Sequence, residues 1–282
     1  MDQTTKAKAF HQLHTGAEIL VLPNAWDAAS AAIISDAGAK AVATSSAAVA
    51  WAHGYADGDV LPLEKLLATV SACARAIAVP LTADIEGGYT DDLTELGEVV
   101  RRVIEAGAVG VNLEDGRRDP ELHARKVAAA RKAADATGVP LFINARTDVI
   151  LKGLAEGHAA YTEVAQRAAA YRDAGADGIF VPFAKDEDLI GRLADAIALP
   201  LNVILMPGLA GAERLQALGV RRLSSGTTPF RAMYAPLAAA TKAYLATGQA
   251  DAWPGAEAMA NLNTRFGQNG NVPRQGGMAR SD

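Results

Sequence analysis

Two carboxylates two residues apart, Asp84 and Glu86 in PLTADIE (80–86), stand where a short β-rich run gives way to glycines. Side chains two apart on a strand share a face, so the spacing predicts that both point the same way. The same spacing pairs Asn112 with Glu114 in VGVNLED (109–115) and Asn144 with Arg146 in PLFINAR (140–146). HGYADGD (53–59) offers Asp57 and Asp59. Carboxylates gathered at one place repel one another unless a cation neutralises them. A hard divalent ion does this, and Mg²⁺, or Mn²⁺, suits carboxylate and water oxygens. The His and Cys pattern of a zinc site is missing. Asp84, Glu86 and Glu114 are the candidate metal ligands, with surface salt bridges the alternative for any single acid. Arg146 has a planar fork that binds a carboxylate bidentately, which makes it the candidate substrate anchor. Its alternative is a structural pair with Asp84 or Glu114. Ser45 and Ser46 offer hydroxyls and backbone N–H groups to the other end of an anion, although serine also caps helices. Asn144 and Asn202 are further candidate substrate contacts.

These residues need a frame that collects strand ends. Eight β-rich runs recur between Ala-rich segments of helical periodicity: EILVLPN (18–24), KAVATSS (40–46), PLTADIE, VGVNLED, PLFINAR, DGIFVPF (177–183), PLNVILM (200–206) and RRLSSG (221–226). Strands alternating with helices imply parallel pairing. Gly38, Gly107, Gly175 and Gly219 precede the second, fourth, sixth and eighth strands, and Pro80, Pro140 and Pro200 open the third, fifth and seventh. Glycine serves as a left-handed helix cap, and proline starts a strand without breaking its ladder. Eight such units, with no GxGxxG after the first, predict a (β/α)₈ barrel rather than a doubly wound sheet. Barrel chemistry sits at the C-terminal ends of the strands, where the acids lie. The pattern places one barrel domain over 1–246, a helical extension over 247–266 and a disordered tail over 267–282.

The chain has 282 residues and a formal net charge of −5 without a basic block, which argues against nucleic acid as partner. Cys73 is the single cysteine, and VSACARAIA around it reads as a buried helix face. MDQTTKAKAFHQLH lacks the apolar core of a signal peptide, and no apolar run approaches the ~20 residues of a membrane helix. A soluble, cytoplasmic protein is expected.

The runs VLPNAWDAASA (21–31), ATSSAAVAWAHGYADGD (43–59), TADIEGGY (82–89), VNLEDG (111–116) and NARTDV (144–149) resemble the isocitrate lyase/phosphoenolpyruvate mutase superfamily, in its short mutase-like branch. The resemblance spans about residues 8–246. It implies a Mg²⁺ held by Asp84 and Glu86 largely through waters, with Asp57 and Glu114 as the matching acids of the second and fourth strands. Ser45-Ser46-Ala47 matches the turn whose N–H groups bind the substrate carboxylate, and Arg146 matches the arginine of the fifth strand. Arg146, Asp57 and Glu114 are then the candidate catalytic residues. The substrate implied is a small 2-oxo acid reacting through a pyruvate enolate or a related intermediate. Members assemble as homo-oligomers, usually tetramers that exchange the last barrel helix.

One stretch departs from the family. Isocitrate and methylisocitrate lyases carry a KKCGH-type motif after the fourth strand, whereas here GRRDPELHARK (116–126) has no cysteine. That argues against those two activities and leaves a lyase or decarboxylase for an oxaloacetate-like acid as the expectation. Phosphonopyruvate hydrolase or phosphoenolpyruvate mutase chemistry at a P–C bond is one alternative, and a non-catalytic metabolite-binding barrel is another. His123 stands where it could contribute a proton, or simply in the first turn of the next helix. Lys185 would serve a Schiff-base aldolase, but AKDEDL places three acids beside it, and a solvated surface position fits better. SSGTTPF (224–230) resembles a phosphate-binding helix start, although Thr228-Pro229 also reads as an ordinary N-cap and first turn.

Overall fold

The computed structural model describes residues 1–259 and 261–267. Its strands are β1 (Leu20–Leu22), β2 (Asn24–Ala25), β3 (Val42–Thr44), β4 (Leu81–Asp84), β5 (Gly110–Glu114), β6 (Phe142–Arg146), β7 (Gly178–Phe180), β8 (Leu201–Ile204) and β9 (Arg222–Ser224). All pair in parallel, in the order β1-β9-β8-β7-β6-β5-β4-β3-β2. The ends of that order, β1 and β2, are two halves of one strand interrupted at Pro23, whose nitrogen has no hydrogen for the ladder. The sheet is therefore closed on itself. It is the eight-stranded (β/α)₈ barrel that the alternating pattern predicts.

After α1 (Gln3–Thr15), the strands alternate with α2 (Ala28–Asp36), α3 (Ser46–Ala52), α4 (Leu63–Ala76), α5 (Leu93–Glu105), α6 (Pro120–Thr137), α7 (Gly157–Asp173), α8 (Glu187–Ala196), α9 (Ala212–Ala217) and α10 (Thr228–Tyr234). Both α3 and α4 lie between β3 and β4. Side-chain caps start several helices where the chain leaves the strand ends. Asp92 accepts from the N–H groups of Thr94 and Glu95, and Asp119 accepts from Glu121 with Pro120 in the first turn. Gly107 and Gly219 follow their helices at φ 106° and 91°, the left-handed conformation their sequence positions predict.

The floor of the barrel is closed by α1. Its Ala7 and Phe10 join Leu20, Leu22, Ala41, Ala43, Val109 and Phe142 in one buried cluster drawn from the beginnings of the strands. His14 stacks on Phe142 with ring centroids 4.0 Å apart. With that end plugged by apolar side chains, the polar strand ends are left to the opposite mouth.

The chain divides into two compact units, the first Met1–Met233 and the second beginning at Tyr234. The second contains α11 (Leu237–Thr247), which ends on a left-handed Gly248, two 3₁₀ turns at Ala250–Ala252 and Ala256–Ala258, and α12 (Leu262–Gly267). The expected domain boundary at 246 thus falls within α11. The tail expected over 267–282 lies, beyond Gly267, outside the described residues. Among the described residues, no helix is long and apolar enough to cross a membrane.

Candidate active site

Asp84 closes β4 and is buried. Its N–H donates to Thr44 Oγ1 at 2.9 Å, its Oδ1 accepts from the Glu86 N–H at 3.0 Å, and its Oδ2 accepts from Asn112 Nδ2 at 3.2 Å. Burial raises its pKa, with Arg146 opposing and Asp57 adding to the rise.

Strand alternation ends at Asp84. Glu86 has φ 52°, so a left-handed turn rather than the pleat directs its side chain, contrary to the simple two-residue reading. Its Oε2 accepts from the N–H groups of Gly58, at 2.7 Å, and Asp59, while Tyr89 Oη donates to its Oε1 at 3.2 Å. Burial also raises the pKa of Glu86. Asp57 lies on the same loop as Gly58 and is exposed, and its charge reaches Asp84, Glu86 and Glu114.

Arg146, at the end of β6, is held by two acids. Nη1 meets Glu114 Oε2 at 2.6 Å, while Nε and Nη2 grip Asp148 Oδ1 and Oδ2 at 2.7 and 3.2 Å. The side-on edge of the fork is therefore occupied, and a further carboxylate would have to use the remaining Nη hydrogens. Asp148 is itself placed by Asp115, which accepts the Asp148 N–H at 2.8 Å. Asp115 also receives Arg167 Nη1 and Tyr171 Oη from α7, each at 2.8 Å. Sequence reasoning gave no role to Asp148 or Asp115. The two-residue offset of Asp148 from Arg146 was the available signal.

Asn144 and Asn202, expected at the substrate, are buried and bonded to one another inside the barrel. Asn144 Nδ2 donates to Asn112 Oδ1 at 2.9 Å and to Asn202 Oδ1 at 3.1 Å, and Asn202 Nδ2 donates to Val203 O at 2.6 Å. Arg222 joins this ladder through Nη2 to Asn112 Oδ1 at 3.1 Å. Its full burial pushes its pKa down to about 9, with Asp84 opposing. Its Nε and Nη1 are among the buried polar atoms without a hydrogen-bond partner. Nothing in RRLSSG marked it as an interior cation.

The remaining candidates divide clearly. Ser45 caps α3, accepting from the Ala48 N–H at 3.5 Å, and Ser45, Ser46 and Ala47 are all buried. His123 is the fourth residue of α6, fully buried against Tyr171, and burial pushes its pKa down to about 4. Cys73 is buried in α4 with its pKa pushed up to about 12 by burial. Lys185 is exposed just before α8.

Among the described residues, no three His, Cys, Asp or Glu side chains converge closely enough to enclose a metal by themselves. The atoms that Asp84, Glu86 and Glu114 could offer a metal are nevertheless all carboxylate oxygens, and burial and like charge hold the three above the ordinary carboxylate range. That set fits a hard divalent ion reached partly through water better than an all-protein cage.

Glu114 is pushed up to about 8, chiefly by burial and then by Asp84, Asp148 and Asp57, with Arg146 opposing. A carboxyl whose folded pKa exceeds its unfolded value stabilises the fold while protonated. That contribution is complete below the unfolded value, near 4.5, and is lost as pH rises through the folded one. Thermal melts in EDTA should therefore show the melting temperature falling as pH rises from about 4.5 to about 8 and levelling off above that. Excess Mg²⁺ should reduce the fall, because a metal binds the ionised form. A flat profile in EDTA would contradict the assignment.

The geometry is that of a barrel with a buried acidic mouth built around one arginine. Residues 10–245 match the model of the phosphoenolpyruvate phosphomutase family, and the chain belongs to that family. It is 35% identical over 262 residues to an uncharacterized protein of Mycobacterium tuberculosis, covering 92% of this chain and 96% of that one. It is 28% identical over 228 residues to the oxaloacetate decarboxylase of Pseudomonas entomophila, covering 77% of each. The crystal structure of a proposed phosphonomutase from Burkholderia cenocepacia J2315 superposes with a TM-score of 0.81 at 40% identity, covering 84% of this chain and 99% of that one. Lyases and mutases both occur among such relatives, and the chain is read as an enzyme on that ground.

Proposed function

We propose that this protein is a Mg²⁺-dependent lyase or decarboxylase that acts on a small 2-oxo acid of the oxaloacetate type through an enolate. The observation that carries the reading is the acidic mouth itself, where Glu114 and Asp84 act on Arg146 and the charge of Asp57 reaches Asp84, Glu86 and Glu114. Asp84, Glu86 and Glu114 would hold Mg²⁺, or Mn²⁺, in part through water. When bound, the ion supplies a Lewis acid for the charge that develops on the 2-oxo oxygen.

The chain's own residues do the rest. The Nη hydrogens of Arg146 left free by Asp148 and Glu114, together with the N–H groups of Ser46 and Ala47 in the Ser45-Ser46-Ala47 turn, bind and orient the substrate carboxylate, the Ser45 N–H being given to Ala25 O at 3.2 Å. Asp115 and Asp148 keep the fork from rotating. Only residues 115–119 lie between β5 and α6, and they contain no cysteine. Decarboxylation needs an electron sink and a later proton, so it survives that absence, whereas isocitrate cleavage has no group matching the family's loop cysteine.

The likeness to a proposed phosphonomutase favours one second reading, chemistry at a P–C bond. Incubation with Mg²⁺ and either oxaloacetate or phosphonopyruvate, followed by pyruvate detection, separates the two. Pyruvate from oxaloacetate supports the first reading, and pyruvate and phosphate from phosphonopyruvate alone would replace it.

A cytoplasmic homo-oligomer, a dimer or tetramer, belongs to the same reading. In it the barrel domain runs to residue 246, and the last barrel helix is exchanged between subunits. Exposed apolar side chains at Leu237 and Leu245, both in the second unit, support such a covered surface.

A further inference from the structure

The loop after α3 and the turn after β4 grip each other in both directions. Glu86 Oε2 accepts from the Gly58 and Asp59 N–H groups, and Asp59 Oδ1 accepts from the Gly87 and Tyr89 N–H groups at 3.0 and 3.2 Å. Asp59, Glu86 and Tyr89 have φ of 60°, 52° and 63°, a conformation that L side chains adopt at a cost. Such a backbone persists only where its surroundings over-determine it. The surroundings include a cation from the next loop. Arg118 Nη2 meets Asp59 Oδ2 at 3.0 Å, and its Nε meets Asp91 Oδ1 at 2.7 Å. Lys126, fully buried, bonds the same Asp91 oxygen at 2.7 Å and Thr90 O at 2.6 Å. A Cβ at Gly87 would fall on the Arg118 guanidinium and 2.6 Å from Asp59 Oδ2, so that position must be bare for the guanidinium to cross it.

We propose that Arg118 is a positioning residue, a clasp that joins the loops after α3, β4 and β5 and thereby holds Glu86 and Asp57 at the mouth. This rests on reading Glu86, with Asp84 and Glu114, as the metal site and Asp57 as an acid of the same mouth. Asp91 and the buried Lys126 anchor the outer end of the clasp, and Asp59 transmits it to the strained turn. The segment bearing Arg118 is the one that lacks the lyase cysteine. Here its task is to fix the mouth rather than to react.

The test uses the full-length protein with Mn²⁺ as probe and two readouts. Arg118→Met should weaken Mn²⁺ binding about tenfold and speed amide exchange at Gly58, Asp59, Gly87 and Tyr89 at least about tenfold, leaving exchange in the barrel strands unchanged. Asp59→Asn keeps an acceptor for Gly87 and Tyr89 but loses the ion pair, so it should weaken binding in the same direction. The double variant should lose little more than Arg118→Met alone, because the two groups act as one unit. Should Arg118→Met fail to fold, Arg118→Lys, which can reach only one of the two acids, is measured in the same way and should show an intermediate loss. Unchanged exchange at the four amides, faster exchange with unaltered Mn²⁺ affinity, or losses that simply sum would overturn the proposal. A wild type that binds no Mn²⁺ overturns the metal reading instead, and the clasp then stands or falls on the exchange data.

Discussion

Asp84→Ala should abolish the rise in melting temperature that Mg²⁺ gives the wild-type protein. A ligand bound only by the folded state stabilises it by mass action, about 2.7 kcal/mol when its concentration is a hundred times its Kd. For a chain of this size each kcal/mol moves the melting temperature by roughly 2–4 °C, so the wild type should gain about 5–10 °C. Asp84 is the natural place to remove the effect. It is buried at the end of β4, and its two oxygens are oriented by the Glu86 N–H and the Asn112 amide. Removing a carboxylate that burial already disfavours should cost the metal-free fold little. Melts of both proteins with Mg²⁺ and with EDTA check this, and an undiminished metal response in the variant would exclude Asp84 as a ligand.

Arg146→Lys should lower kcat/KM by roughly 30- to 150-fold, equivalent to about 2–3 kcal/mol. The structure strengthens the reason. The guanidinium bridges Glu114 and Asp148 at once, taking Asp148 bidentately along its side-on edge. An ammonium keeps the charge but is a point donor. It cannot span both acids and still present a pair of N–H groups to a substrate carboxylate. Steady-state kinetics beside circular dichroism separate a lost anchor from a lost fold. A variant with near-normal kcat/KM would mean that Arg146 only ties Glu114 to Asp148.

The barrel was legible because its punctuation is local. Gly107, Gly175 and Gly219 sit where a helix must reverse, and Pro80, Pro140 and Pro200 sit where a strand begins. Each works through its own backbone rather than through a distant partner. The acids at the strand ends were legible for the same reason, since the end of a barrel strand is already an address. What the sequence hid depends on contacts made by folding. Arg118 meets Asp59 across 59 residues and Arg222 meets Asn112 across 110, with no spacing rule to join them. Glu86 stands where the sequence expects it, just past the end of β4, but its direction follows from a left-handed turn that an alternating strand pattern does not encode. Asn144 and Asn202 share the inward face of the barrel with Asn112, and a polar side chain there can satisfy its neighbours as readily as a ligand.

The measurement closest to the central claim is the rate of oxaloacetate loss and pyruvate formation with Mg²⁺, corrected for the decarboxylation that the free metal ion catalyses. The proposed function predicts that the wild type exceeds Asp84→Ala by at least about tenfold, equivalent to 1.4 kcal/mol of barrier. A smaller ratio, with both proteins folded and Mg²⁺ saturating, would show that oxaloacetate is not the substrate of this barrel.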